Sequence, residues 1–223
     1  MNLSKKLSII VVLSLPVIGD DFNSKVINDY NQISAAYFYS PAPVLGMDSS
    51  GHGYAFSVST EGPREIARKY NISPVLSLNA YHLFGSAAGY SGETWSVGPS
   101  LGIAFRFLEN RLNIVPKVAL GFGQTSVHKV DVEDETHFLS GGLLGSYGIN
   151  EKLGISAEYT YRTGISGGPF FYIADVHQIM AGPTYALTEK FGVFAKVRII
   201  VPESGIPDSK AEVGAVAGIE FHW

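Results

Sequence analysis

The end of the chain sets the terms for everything before it. Ala211, Val213, Ala215, Ala217, Ile219, Phe221 and Trp223 occupy alternate positions, and Glu212, Gly214, Val216, Gly218, Glu220 and His222 fill the places between. Successive side chains of a strand point to opposite faces, so this is a strand with one apolar face and one small or polar face. Residues 94–107 repeat the pattern: Trp95, Val97, Leu101, Ile103, Phe105 and Phe107 alternate with Ser96, Gly98, Ser100, Gly102, Ala104 and Arg106. Residues 112–123 do so again, with Leu112, Ile114, Val118, Leu120 and Phe122 on one face. A chain built this way folds as amphipathic strands. Its composition is 46% hydrophobic and only 16% charged, against about 25% charged in an ordinary soluble domain. The formal net charge of −4 offers no basic field for nucleic acid. With no cysteine, a disulfide scaffold, a thiolate metal site and a cysteine nucleophile are all excluded.

The longest apolar run lies at the start. Lys5 and Lys6 precede an apolar stretch over 7–18, with Gly19 before Asp20 and Asp21. A transmembrane helix needs about 20 such residues. A basic start, a short apolar segment and a small residue before a polar one instead match a cleaved secretory signal. The expected organisation is a signal peptide over 1–19 and one domain over 20–223.

Weaker alternation marks seven more strands, near 32–40, 53–60, 74–84, 137–149, 153–163, 176–187 and 191–200, for ten in all. Eight is the alternative, with the first two forming an extension. Tyr147-Gly-Ile-Asn-Glu-Lys-Leu-Gly-Ile and Tyr185-Ala-Leu-Thr-Glu-Lys-Phe-Gly-Val match position by position, and Phe105-Arg-Phe-Leu-Glu-Asn-Arg-Leu is a looser copy. Each reads as a tight turn between two alternating strands. A fourth, longer turn runs over 61–71. The other ends of the strands then carry longer connections over 41–52, 85–93, 124–136, 164–175 and 201–210. Short turns on one side and long loops on the other describe an all-β, antiparallel, up-and-down transmembrane β-barrel.

In a membrane barrel the apolar face meets lipid and the other face lines the lumen. The lumen charges are then Arg106, Lys117, Glu158, Arg162, Lys196, Arg198, Glu212 and Glu220, with His222. Spacing from the short turns puts Arg106, Glu220 and His222 lowest, Lys117, Glu158 and Lys196 midway, and Arg162, Arg198 and Glu212 nearest the loops. Burying such charges unpaired in a dry core costs several kcal/mol each. The outward aromatics fall into two belts. Phe105, Phe107, Tyr147, Tyr185, Phe191, Phe221 and Trp223 lie near the turns, and Trp95, Phe122, Tyr159 and Tyr161 near the loops, as at two membrane interfaces.

The ending Gly218-Ile-Glu-Phe221-His-Trp223 is similar to the C-terminal assembly signal of Gram-negative outer-membrane barrels. There the last residue is usually Phe, so Trp223 departs from the pattern while staying aromatic. With the hairpin repeats and the leader, the whole mature chain resembles a small outer-membrane β-barrel of the OmpA-transmembrane or opacity-protein type. The resemblance implies residence in the bacterial outer membrane, contact with its lipid and lipopolysaccharide, and recognition of Gly218, Phe221 and Trp223 by the barrel-assembly machinery.

Barrels of this kind include adhesins, structural proteins, narrow pores, proteases and lipid A-modifying enzymes. Asp175 and His177, with Asp131 and Glu133 in an acidic loop, resemble the carboxylate–histidine sets of omptin proteases, where such groups polarise an attacking water. Omptin strands project far from the membrane, and this chain looks too short to match. Lipid A deacylases use His-x-Ser, whereas His137 and Ser140 are spaced to opposite faces. The loop histidines His52 and His128 read as surface residues. No metal, cofactor or nucleic acid partner is expected. Phe170, Phe171 and Tyr172 form an apolar cluster in one loop, the kind of patch that meets a partner, whether lipopolysaccharide or a host or extracellular ligand. The expectation is a non-enzymatic structural or adhesin-like barrel. A narrow porin-like channel and an omptin-like surface hydrolase stand as alternatives.

Overall fold

The computed structural model describes residues 30–40, 49–63, 70–87, 90–108, 110–128, 132–167, 175–203 and 211–223. The leader over 1–19 and the cluster Phe170, Phe171 and Tyr172 lie outside them, as does Asp131. Ten strands follow one another: β1 (Gln32–Ser40), β2 (Ser49–Glu61), β3 (Ile72–Ala87), β4 (Tyr90–Phe107), β5 (Leu112–Val127), β6 (Val132–Gly148), β7 (Leu153–Gly167), β8 (Val176–Ala186), β9 (Phe191–Pro202) and β10 (Glu212–His222). Each pairs antiparallel with its neighbours in sequence, and β1 closes on β10, with Ala36 opposite Gly218. The count is ten, so the eight-stranded alternative is set aside. Closure leaves no edge, as hydrocarbon requires of a sheet.

The alternation becomes two environments. Ile33, Tyr37, Phe56, Leu76, Leu78, Leu101, Leu120, Leu143, Ile155, Val197 and Ile219 stand on the outer surface, each at least two-fifths exposed. Ser34, Ser57, Ser96, Ser146, Ser156, Arg106, Glu158, Arg162, Lys196, Arg198 and Glu220 occupy the other positions, face inward and are buried. Outward rings gather at both ends. Phe191 and Phe221 pair at 5.0 Å near the turns, and Trp95, Phe122 and His137 form a run near the loops, with centroids 5.2 Å apart at each step.

The repeated turn is a repeated piece of chemistry. In the β6–β7 turn the Asn150 side chain accepts from the backbone of Lys152 and Leu153, and Ile149 donates to the Leu153 carbonyl. In the β8–β9 turn Thr188 takes the same part toward Lys190 and Phe191, and Leu187 donates to Phe191. Asn and Thr serve alike because each carries a short side-chain oxygen that substitutes for a backbone acceptor.

Two of the expected long connections are corrected. Between β3 and β4 pairing continues to Ala87 opposite Tyr90, and between β5 and β6 to Val127 opposite Val132. The strands therefore continue past the point where alternation stops. β3 to β6 have 16, 18, 16 and 17 residues, whereas about 9–11 suffice to cross a bilayer. Beyond the hydrocarbon neither face needs to be apolar, so the pattern fades while the ladder of hydrogen bonds persists.

Candidate functional site in the barrel lumen

The lumen is filled unequally. Against β1, β2 and β8–β10 it holds a buried apolar cluster of Ala36, Phe38, Ala55, Met180, Phe194 and Val216, with Tyr81 and Leu83 packed on it. Three inward Phe rings rest on glycines directly across a strand pair: Phe38 on Gly53, Phe138 on Gly121 and Phe194 on Gly218. At each of these positions a methyl group would enter the ring. Glycine supplies the floor and the aromatic ring covers the backbone it leaves bare.

The turn-side end is densely packed. Tyr30, just before β1, is buried with Val75, Ala104, Val115 and Leu144. Burial above all pushes its hydroxyl above the ordinary tyrosine range, while the Arg106 charge pulls the other way. Arg106 is paired with Glu61, which also accepts from the Ser73 hydroxyl, and both charged side chains are almost fully buried. Asn31 accepts from the Thr60 hydroxyl and the Glu61 amide at 3.1 Å each, fastening the start of β1 to β2. Glu220 and His222 lie 3.7 Å apart and fully buried in the same layer.

Midway up, Lys117 of β5 donates to Glu158 of β7 at 2.5 Å, and Thr160 also donates to Glu158 at 3.1 Å. β6 stands between those strands. Its residue opposite Lys117 is Gly142, whose missing side chain clears the path. Lys196 is buried within electrostatic reach of Glu158 and Glu220 and stands 5.5 Å from the Phe194 ring. Higher, Arg198 donates to Gln178 at 2.6 Å, and Arg162 lies 4.6 Å over the Phe138 ring. Glu212 opens β10 opposite Ile200.

Space remains on the β3–β7 side. A small cavity is bounded by residues including Ser96, Ser100, Lys117, Phe138, Ser140, Thr160 and Arg162. A second, smaller one lies toward the turns between Tyr30, Val75, Val115, Lys117 and Leu144. Lys117 and Ser100 border both, so the Lys117–Glu158 pair stands at the partition.

The candidate hydrolytic residues sit elsewhere, on the outside. His177 Nε2 donates to the Glu203 carboxylate at 3.1 Å, and Nδ1 bonds the Tyr159 hydroxyl at 2.8 Å. Asp175 is placed by the Tyr161 hydroxyl, and Glu133 accepts from Gln124 at 3.2 Å. His177 on β8 and Glu133 on β6 are separated by β7 and do not converge. The assembly-signal residues lie in β10, with Gly218 under Phe194, Phe221 against Phe191 and Trp223 on the outer surface.

Sequence reasoning did not single out Tyr30 or Glu61. Glu61 continues the inward positions Ser57 and Ser59 by two residues, a signal that period-two counting could have carried one step further. Tyr30 precedes the first alternating stretch and has no such signal.

No family model matches the chain, and no curated protein matches it in sequence. Solved structures do. The translocator domain of autotransporter NalP from Neisseria meningitidis aligns over 86% of this chain and 88% of that one, with TM-score 0.51 and 10% identity. The β domain of the Bordetella autotransporter BrkA aligns over 86% and 99%, with TM-score 0.50 and 11% identity. The fold is that of an outer-membrane β-barrel. Its apolar outer surface, bordered by two rings of aromatic residues, is the surface such a barrel presents to lipid.

Proposed function

We propose that this outer-membrane barrel is a non-enzymatic structural or surface-interaction protein that works through its outer end and does not conduct solutes. The observation that carries this reading is the densely packed turn-side lumen. Tyr30, the Arg106–Glu61 pair, Asn113, Glu220 and His222 are all buried there and crowd the cross-section. An aqueous channel needs a wet path, and charged groups this enclosed are poorly hydrated.

Two features support contact with lipopolysaccharide as the outer partner. The loop-side belt combines Tyr37, Tyr54, Trp95 and Tyr159 with outward His52, His82, His137 and His177. Phe170, Phe171 and Tyr172 add an apolar patch in a connecting segment. Aromatic rings with polar edges suit the boundary between acyl chains and headgroups. A non-catalytic reading also fits His177, whose two ring nitrogens are both engaged.

The test is direct. Purified protein in planar bilayers is expected to give no current steps above background, and steady open events would overturn the reading. Replacing Phe170, Phe171 and Tyr172 together with Ser is expected to weaken retention of the folded barrel on immobilised lipopolysaccharide, with heat-modifiable migration unchanged.

A further inference from the structure

Charge answers charge through the lower and middle lumen. Arg106 meets Glu61, and the midway lysines Lys117 and Lys196 share the carboxylates Glu158 and Glu220. Arg162 is different. It is 8% exposed, and among the described residues its guanidinium makes no hydrogen bond and no ion pair. The residues opposite it on the two neighbouring strands are Ser140 and Val176, neither of them a carboxylate. It rests on the face of Phe138, at 4.6 Å. A ring face attracts a guanidinium and engages none of its N–H groups. A charge this enclosed is costly without an acceptor.

A second donor lies beside it. Arg198 can only donate, so the Gln178 atom it meets at 2.6 Å is the amide oxygen, and the amide nitrogen is turned away. Gln178 is 4% exposed, and that nitrogen is buried without a partner. Thr160 of β7 stands opposite Gln178 of β8, which sets Gln178 on the diagonal from Arg162. Long side chains span such a diagonal.

We propose that the Arg162 guanidinium and the Gln178 amide hold a small monovalent anion of the halide class inside the barrel. Charge, size and hydration select it. Arg162 presents a single charge without a carboxylate, which calls for one negative charge. The cavity that Arg162 lines with Phe138, Ser140 and Thr160 has room for a few water-sized atoms, which excludes larger organic anions. Its lining is mostly apolar, so it cannot replace the water of a strongly hydrated anion, and it strengthens the attraction of a guanidinium for a weakly hydrated one. Chloride and bromide meet all three conditions, and sulfate fails them. The bound anion supplies the missing counter-charge, so the stability of the barrel rises with halide concentration. The inference does not depend on which partner the outer surface meets.

The experiment uses the full chain folded in zwitterionic detergent micelles, with sodium gluconate as the bulk salt and chloride as the probe. The chloride NMR line is expected to broaden beyond that of empty micelles and to saturate at about millimolar chloride. Bromide is expected to reverse the broadening, and sulfate at equal ionic strength is not. Arg162→Gln is expected to weaken chloride binding by about tenfold or more, since a charged hydrogen bond is lost. Gln178→Glu keeps the arginine and sets a carboxylate on its diagonal. That variant is expected to lose halide binding and to unfold at a urea midpoint independent of chloride, whereas the midpoint of the parent rises when chloride replaces gluconate. Heat-modifiable migration reports that each variant is folded. The proposal is overturned by the absence of saturable broadening, by sulfate competing as well as bromide, or by chloride affinity unchanged in either variant.

Discussion

The two sides of this barrel solve the same problem in opposite ways. The wall formed by β8, β9, β10 and β1 is short, with strands of 11, 12, 11 and 9 residues, and its lumen face is packed with Phe38, Met180, Phe194 and Val216. The wall formed by β3 to β6 is tall, with strands of 16 to 18 residues, and faces cavities bordered by serine, glycine, lysine and arginine. Both walls show lipid the same apolar surface. The difference teaches that the membrane constrains one face of every strand and leaves the other free to be filled with hydrocarbon or to hold polar groups. The packed wall draws stability from its interior. The hollow wall spends interior volume on a charged chamber and extends it outward past the bilayer.

The comparison breaks most sharply at Phe194. Replacing it with Ala empties the packed side over Gly218, and a loss of about 3–5 kcal/mol is expected in the urea unfolding free energy of the barrel in liposomes. On the hollow side Glu158→Gln leaves the Lys117 ammonium without its counter-charge. The expected loss is about 3 kcal/mol, the lower end for a broken buried pair, because a cavity beside Lys117 admits water. A Lys117→Met, Glu158→Leu double variant is expected to recover most of it, and no recovery would show that the pair's loss is not electrostatic. Gly121→Ala pushes a methyl group into the Phe138 ring and should cost about 1–3 kcal/mol by overpacking. Smallest of all, Ser140→Ala on the cavity wall should leave stability within about 0.5 kcal/mol of the parent. A large effect there would mean the chamber is packed and the contrast between walls is false.

Much of the fold was legible because alternation is a local property. It identifies a strand and both of its faces without knowing any neighbour, and ten such stretches joined by turns leave few topologies. The matched hairpins at Asn150 and Thr188 are legible for the same reason, since their bonds stay within one turn. Strand length was not. Residues 85–93 and 124–136 lack alternation and read as loops, although most of them are paired strand. Inward charge was visible at Arg106, Lys117, Glu158 and Arg162, but its pairing was not. Lys117 meets Glu158 across a whole intervening strand, through the gap at Gly142, and Arg106 meets Glu61 from a strand two places away.

What the sequence determined by itself is the division of every strand between two solvents, together with the turns that join them, because period two and turn chemistry are written into adjacent residues. What only the tertiary structure decided is depth and partnership. Closure of β1 on β10 fixes the lumen cross-section, and with it which side chains meet, which space stays empty and what Tyr30 is buried against. Those outcomes depend on distances between residues far apart in the chain.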